Sequence, residues 1–330
     1  MMKKIFFAVF TILVVMGMVA CSNKQVTESS VNTKLQNSVD SLVKQGMEEY
    51  GATEGMAIVV ETSTGNLRAM IGLKENNGRL VADTTLFSKA RETFLFRGAS
   101  LLAALETGNV SLDDMFDTYA GIDVIGQDTI YDHNWRKGGY GELALMQGLA
   151  YNSSIAIDKA VDVAYKDKGI FLQKLEQMGL EKDSTCKGLW PLYALGFHHI
   201  KPTNYVRFFN AIANGGKMVS LKSQEGSAIV VDSMIAEKKN IESMQNALRF
   251  CVTNGLGKKA ESKMVNVAGI SGSINTGDGI YADFCGYFPV EKPKYTVFVS
   301  YKRPETPASG GGMAGQTFRK IAEYIMKTMK

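Results

Sequence analysis

The chain has 330 residues, of which 45% are hydrophobic and 21% charged, values that are ordinary for a globular protein. Its formal net charge of +4 gives no argument for nucleic acid as a partner. The four cysteines have no paired spacing and two of the three histidines are adjacent, so neither a disulfide framework nor a metal site is indicated. We therefore expect no metal, no cofactor and no nucleic-acid ligand.

The first residues have the features of an export signal. Lys3 and Lys4 precede an apolar run over residues 5–19, and Ala20 stands directly before Cys21. This pattern resembles the signal of exported lipoproteins, in which the cysteine is acylated and becomes the first mature residue. The alternative is an uncleaved membrane anchor, although the run is shorter than the roughly 20 apolar residues that a membrane span needs.

The chain then divides into three parts. We predict a signal peptide over residues 1–20, a polar linker over residues 21–35 that begins at the lipidated Cys21, and a folded domain over residues 36–330. Both interpretations of the N-terminus place that domain outside the cytoplasm and attach it to a membrane.

The folded part begins with a helix and a hairpin. Apolar residues at helical spacing predict an amphipathic helix over residues 34–50. Residues 55–62 and 67–73 are rich in β-formers and flank a turn, so they predict a β-hairpin. We expect residues 75–89 to be irregular.

The next element is a helix that is apolar on every side. Nine of the thirteen residues from Phe94 to Glu106 are apolar, which predicts a buried helix at the centre of a large domain. Thr93 can cap its start, and Gly108 can end it in the left-handed conformation. Arg97 is its one charge in the first two turns, and a buried arginine needs a partner or a route to solvent.

Helices follow, and strands dominate the last third of the chain. We predict helices over residues 143–149, 155–165, 169–178, 201–214 and 234–252, strands over 265–269, 281–288 and 295–301, and a closing helix over 313–329. This order indicates one mixed α/β domain in which the N-terminal hairpin joins the C-terminal strands in a single sheet with helices on both sides.

The order of motifs resembles the transpeptidase domain of penicillin-binding proteins. The most distinctive stretch is Asp132-His133-Asn134-Trp135 with the glycine-rich residues 138–141. The other residues that carry the resemblance are 58–70, 103–108, 116–118, 210–217, 255–260 and 267–269. The resemblance implies a mixed α+β, β-lactamase-like fold: an antiparallel sheet flanked by helices, with a mostly helical subdomain.

The family's chemistry depends on three motifs, and the first is lost here. A serine should open the central helix, followed three residues later by a lysine that takes its proton. Counting back from Leu105-Glu106-Thr107-Gly108 places Phe94 and Arg97 at these positions. A phenyl ring has no nucleophile, and arginine stays protonated and cannot act as a base. An alternative alignment places Ala99 at the serine position and Leu102 at the lysine position, so it also lacks both the nucleophile and the base.

The second and third motifs are also degenerate. The Ser-x-Asn motif falls at Asn152-Ser153-Ser154, where the serine and the asparagine have exchanged places. The Lys-Thr-Gly motif falls at Ile270-Ser271-Gly272, followed by Ser273, so the lysine that would bind a substrate carboxylate is missing. A charge-assisted contact of that kind is worth roughly 1.5–3 kcal/mol.

Several polar residues remain in these motifs. We expect that Asn152, Ser154, Ser271, Gly272 and Ser273 line the former cleft and are able to bind a ligand. Phe94 and Ile270 would fill it with apolar surface, or would simply be core residues beside a closed cleft. His133, Trp135 and Tyr140 could contact a glycan or a peptide, or only pack their own loop.

Serines elsewhere in the chain are weak candidates for a replacement nucleophile. Ser41 and Ser184 each precede a lysine by three residues, but that short pattern arises easily by chance. Ser100 lies inside the central helix without a lysine partner. Because nucleophile and base act as a unit, losing both abolishes most catalysis.

We therefore expect a non-catalytic, membrane-anchored lipoprotein of the transpeptidase fold that binds peptidoglycan or an envelope protein. The first alternative is an active transpeptidase, carboxypeptidase or β-lactam-hydrolysing enzyme with an unrecognised serine. The second is a sensor that binds β-lactams or muropeptides reversibly.

Overall fold

A six-stranded antiparallel sheet forms the centre of the protein in a computed structural model that describes residues 32–125, 128–181 and 190–329. Its strands lie in the order Ala268–Asn275, Ile280–Phe288, Tyr295–Arg303, Glu54–Glu61, Leu67–Asn76 and Arg79–Ala82. The pairing of Glu54–Glu61 with Tyr295–Arg303 joins the two ends of the domain. The predicted single sheet is therefore confirmed. The strands are β1 Glu54–Glu61, β2 Leu67–Asn76, β3 Arg79–Ala82, β4 Met115–Asp117, β5 Ile122–Ile125, β6 Asp128–Tyr131, β7 Glu142–Ala144, β8 Met218–Val219, β9 Val230–Asp232, β10 Ala268–Asn275, β11 Ile280–Phe288 and β12 Tyr295–Arg303.

Helices cover both faces of this sheet. Side chains alternate along β1, so Ile58 and Val60 enter one core while Ala57 and Val59 enter the other. The first core includes the central helix and most other helices, and the second includes the first and last helices. The helices are α1 Thr33–Tyr50, α2 Arg97–Leu105, α3 Leu145–Ala150, α4 Ser154–Ala164, α5 Lys168–Gln177, α6 Trp190–Leu195, α7 Pro202–Ala213, α8 Lys238–Thr253 and α9 Gln316–Thr328.

The central helix is buried as predicted. All nine residues of α2 are buried, and a short 3₁₀ turn, Phe94–Phe96, precedes them. Thr93 accepts a hydrogen bond from the Leu95 amide at 3.2 Å and caps that turn. Gly108 has a φ of +71°, the left-handed conformation expected of it.

Several predicted boundaries differ from the structure, among them the start of the helix predicted over residues 234–252, which is α8 Lys238–Thr253. Residues 75–89 contain β3, whose side chains are mostly exposed and show no apolar alternation. The linker ends earlier than residue 35, because Asn32 caps α1 and the helix begins at Thr33. The strand predicted at 265–269 is β10, which continues to Asn275 through glycines and serines that disfavour strands in isolation. A π-helical turn, Gly310–Gly315, precedes the last helix.

No helix within residues 32–125, 128–181 and 190–329 is long and apolar enough to cross a membrane. The predicted signal and Cys21 lie outside the described residues, as do Cys186 and the Ser184-Lys187 pair. Cys251 and Cys285 are both buried free thiols. Burial raises the pKa of the Cys251 thiol to about 12, so this side chain is a neutral core group.

Candidate functional site: a pocket beside the central helix

A pocket of about 320 Å³ opens where the start of the central helix meets the edge strand β10. Phe94 and Arg97 line it from the helix, Ser271 and Ser273 from the strand, and Asn152 and Ser154 from the loop before α4. The turn over residues 308–311 closes the opposite side, and Tyr131, His133 and Leu256 complete the rim.

The pocket brings together most of the residues predicted for the cleft. Asn152, Ser154, Ser271 and Ser273 all line it. Gly272 lies against the start of the helix, since a Cβ there would stand 3.1 Å from the Phe94 Cβ.

Ile270, in contrast, does not reach the pocket. It is 1% exposed and packs in the core beside α2, near Gly98. The alternation of side chains along β10 puts Ile270 on one face and Ser271 and Ser273 on the other. The expectation that Ile270 fills the former site is wrong, because this side chain belongs to the core and leaves the pocket open.

Arg97 is the most unusual residue of the pocket. The side chain is 2% exposed, and its Nη1 and Nη2 atoms donate hydrogen bonds to the Asn152 carbonyl at 2.9 Å and to the Ser154 Oγ at 2.8 Å. The Phe94 ring packs against the guanidinium, with 3.8 Å between the ring centroid and Cζ, a cation–π contact. Its Nε is buried without a hydrogen-bond partner.

The charge of Arg97 is only partly compensated. Burial lowers the pKa of the guanidinium to about 10, while the nearby carboxylate of Asp132 acts in the opposite direction. Arg97 is therefore still protonated at neutral pH. Asp132 is itself fully buried and accepts hydrogen bonds from the Ser153 hydroxyl at 2.7 Å and the Ile155 amide at 3.3 Å.

Backbone geometry fixes the loop that holds Arg97. Asn152 has a φ of +57°, a left-handed conformation that asparagine tolerates better than most residues. The Ser153 hydroxyl accepts from the Ala156 amide and caps α4. The loop thus turns the Asn152 carbonyl and the Ser154 hydroxyl toward the guanidinium.

Aromatic residues form one wall of the site. His133 and the Tyr140 hydroxyl are 3.2 Å apart, and Tyr140 stacks on Tyr151. Tyr131 is 50% exposed and packs against Trp135 with ring centroids 5.2 Å apart. Loss of water around the imidazole and the positive charge of Arg97 lower the pKa of His133, although Asp132 opposes them, so the ring is neutral at pH 7.

Sequence reasoning missed two parts of the site. Tyr131 directly precedes the distinctive Asp132–Trp135 stretch, so its position was a usable signal. The turn around Ser309, Gly310 and Gly311 gave a weaker one, a run of three glycines before the last helix. The Ser273 hydroxyl accepts a hydrogen bond from the Gly310 amide at 2.8 Å, which attaches this turn to β10.

The described pocket walls offer hydroxyls, and the imidazole of His133 on the rim is the candidate base among them. Neither lysine nor a carboxylate lines the pocket, and Arg97 cannot accept a proton at neutral pH. Ala99 and Leu102, the alternative register, are buried in the core. Ser100 is fully buried and donates to the Ala194 carbonyl, and Ser41 lies on α1, where it donates to the Asn37 carbonyl.

The family model described as "Penicillin binding protein transpeptidase domain" matches residues 55–323. The chain belongs to this family. The match spans the sheet, the central helix and every wall of the pocket, so the pocket lies inside the family's domain and not in an addition to it. The resemblance seen in the motifs is therefore confirmed.

Known relatives agree with this assignment. The chain is 24% identical over 331 residues to penicillin-binding protein 1A/1B of Bacillus subtilis (strain 168), in an alignment that covers 90% of the chain and 34% of that protein. The chain thus spans about a third of the length of this curated relative.

Solved structures show the same transpeptidase-domain fold. A peptidoglycan glycosyltransferase from Burkholderia ambifaria has a TM-score of 0.78 at 20% identity, with 92% of this chain and 98% of that chain covered. The apo transpeptidase domain of penicillin-binding protein 3 from Burkholderia pseudomallei has a TM-score of 0.76 at 18% identity, with 92% and 96% covered. The expected mixed α+β fold is therefore confirmed.

Proposed function

We propose that this transpeptidase-family domain is not an enzyme but binds peptidoglycan in the pocket beside α2. The single observation that carries the proposal is the contact of Phe94 with Arg97. These residues occupy the pocket positions that the family resemblance gives to the nucleophilic serine and its lysine, and they fill them with a phenyl ring and a permanent cation.

The pocket walls support binding. An acyl transfer needs a nucleophile next to a base, whereas binding needs only shape and hydrogen-bonding groups. The walls supply hydroxyls from Ser154 and Ser271 and a cation from Arg97, and apolar surface from Phe94 and Leu256. Peptidoglycan peptides carry carboxylates, amides and small apolar side chains, which match these groups. An envelope protein partner is the competing occupant.

We further propose that a lipid on Cys21 anchors the domain to a membrane on the extracytoplasmic side. It rests on the sequence pattern of residues 1–21. Metabolic labelling with a fatty-acid analogue should mark the wild-type protein and leave Cys21→Ser unmarked, and both should be exported. Equal labelling of the two would contradict the lipid anchor.

Sedimentation with purified peptidoglycan sacculi tests the binding function. The full-length protein in detergent should pellet with sacculi in a saturable way. Leu256 is 40% exposed at the pocket rim, so Leu256→Trp should narrow the pocket without disturbing the core and should lower the pelleted fraction several-fold.

Ile170 on α5 provides the matched control for this experiment. It is 57% exposed and does not line the pocket, so Ile170→Trp should pellet like the wild type. If neither the wild type nor the control binds sacculi, peptidoglycan is not the ligand. Equal loss in both tryptophan variants would mean that the pocket is not the binding site.

A further inference from the structure

Among the described residues, Arg91 and Arg97 are the buried arginines, and they differ in the groups that compensate their charge. Arg91 makes a bidentate ion pair with Asp283, with both N–O distances at 2.8 Å, and also donates to the Ser300 hydroxyl. The carboxylate of Asp283 holds the pKa of Arg91 above its ordinary value although the side chain is buried. A carboxylate therefore neutralises the charge of Arg91, although its Nε, like that of Arg97, is buried without a hydrogen-bond partner.

Arg97 lacks such a partner. Its hydrogen-bond acceptors within the described residues are a carbonyl and a hydroxyl, both neutral, and its Nε has no acceptor. Asp132 attracts it without an ion pair, and the two oxygens of Asp132 accept hydrogen bonds from Ser153 and Ile155. A buried charge without a carboxylate partner costs free energy, so some other group is expected to complete its coordination.

The pocket is the place from which that group can come. Arg97 is the one charged side chain that lines the pocket in the described part of the chain. His133 also lines it, but its imidazole is neutral at pH 7. Guanidinium groups bind carboxylates through two parallel hydrogen bonds, with a geometry that a single lysine cannot match. Ser271, 4% exposed, adds a hydroxyl on the strand side.

We infer that Arg97 is the recognition site for a ligand carboxylate, and that the pocket takes a small acylated amino acid or peptide whose carboxylate completes the coordination of this guanidinium. The apolar surface of Phe94, Leu256 and Ala308 then holds a short side chain beside it. Carboxylate recognition lies on the central helix, on the opposite side of the pocket from β10. This inference rests on the proposed binding function and specifies its ligand.

Two pairs of small probes test the inference on the full-length protein in detergent. N-acetyl-D-alanine and N-acetyl-L-alanine carry a free carboxylate, and their C-terminal amides differ only in lacking it. Isothermal titration or ligand-observed NMR should show binding of at least one acid that is roughly 10- to 100-fold stronger than that of its amide, as expected for a charge-assisted contact. Equal binding of acid and amide would overturn the inference.

Two variants locate the interaction. Arg97→Gln should abolish the preference for the acid, and Asn152→Asp should weaken acid binding by placing a competing carboxylate in the pocket. Asn37→Asp makes the same chemical change on the exposed face of α1 and should bind like the wild type. If Arg97→Gln fails to fold in a thermal melt, Asn152→Asp and the acid–amide comparison still decide the outcome.

Measuring the binding of muropeptides released from sacculi distinguishes a failure of this inference from a failure of the proposed function. Binding of muropeptides and acids, both lost in Arg97→Gln, supports both statements. Muropeptide binding that survives in Arg97→Gln keeps the proposed function and refutes the role of Arg97. Binding of the free acids without any binding of muropeptides supports the carboxylate site and assigns it to a free small acid, against the proposed function.

Discussion

At the scale of single residues, Phe94 and Arg97 stand at the positions that the predicted motif register gives to the family's serine and lysine. The cation–π contact at 3.8 Å lets the two side chains share a buried corner that a serine would leave open to a substrate. The ring also packs edge-to-face on Phe197, with centroids 5.3 Å apart. The replaced positions are thus integrated into their surroundings and are not loosely filled.

The first prediction concerns the stability contributed by the two arginines. Arg97→Met removes a buried cation whose acceptors are neutral, so the free energy of unfolding should change by less than about 1 kcal/mol. Arg91→Met leaves Asp283 buried and unpaired, so it should lower that free energy by about 3–5 kcal/mol. Urea denaturation of both variants measures the difference, and equal losses would contradict the account.

The sequence predicted part of this chemistry. A charged residue in an apolar helix required a partner, and the structure supplies one in the loop of Asn152 and Ser154. The sequence alone did not indicate that Asp132 is the nearest carboxylate, because the two residues meet only through folding. For the same reason it left open whether Phe94 lines a pocket or disappears into the core.

At the scale of elements, the turn Gly310–Gly315 forms one wall of the pocket because it packs directly on the sheet. A Cβ at Gly310 would meet the carbonyl oxygens of Gly272 and Asp283. The turn can therefore approach β10 and β11 only with glycine at that position.

The second prediction follows from this close approach. Gly310→Ala should lower the free energy of unfolding by about 1–3 kcal/mol, because backbone atoms must move to admit the methyl group. Gly226→Ala is the matched control: its Cβ would have the Lys222 side chain 3.5 Å away, an ordinary contact, so this variant should melt like the wild type. A Gly310→Ala variant with unchanged stability would contradict the packing described.

The third prediction concerns pH and Asp158 on α4. Burial, with added repulsion from Asp162 and Asp123, raises the pKa of Asp158 to about 7, compared with about 3.9 in an unfolded chain. Between about pH 4 and pH 7, Asp158 therefore binds more protons in the folded protein than in the unfolded chain. The stabilising contribution of the protonated carboxyl is therefore complete below about pH 4 and is lost as the pH rises through about 7.

Asp158→Asn should remove this dependence. At pH 8 the variant should unfold at higher urea, with a gain on the order of 2 kcal/mol, and near pH 4 it should resemble the wild type. Asp113→Asn changes an exposed carboxylate and is the control. If the free energy of unfolding depends on pH in the same way in the wild type and in Asp158→Asn, the raised pKa of Asp158 is contradicted.

Element boundaries were predicted well where periodicity was strong and poorly where it was not. The predicted helix over residues 34–50 begins only one residue earlier, as α1 Thr33–Tyr50, because its apolar stripe is regular. Strand β10 was shortened in the prediction because Gly269, Ser271 and Gly272 have low strand propensity. Its ladder with β11 overrides that local preference.

At the scale of the whole molecule, the chain has the fold of the transpeptidase family. Strand β1 pairs with β12 along its whole length, which closes the domain around a fully buried α2. The motif order was enough to predict this architecture, since motifs such as residues 103–108 and 267–269 hold helices and strands in place. The volume of the pocket was not predictable, because six separate segments of the chain line it.

The persistence of the scaffold has a simple physical basis. Stability resides in the two cores on either side of the sheet, and none of the predicted motif positions except Ile270 contributes to the principal core. Residues of the pocket can therefore differ without loss of the fold, and the walls of the pocket are partly polar. Because a fold alone does not decide a function, the proposed binding function rests on the residues of the pocket.

The measurement that tests the central claim most directly is intact mass spectrometry of the full-length protein after incubation with a reporter penicillin. An active transpeptidase treated in parallel shows that the reagent acylates, and a thermal melt shows that the protein is folded. The account predicts no increase in mass. A stable acyl adduct, mapped to a serine such as Ser154 or Ser271, would reveal a working nucleophile and contradict it.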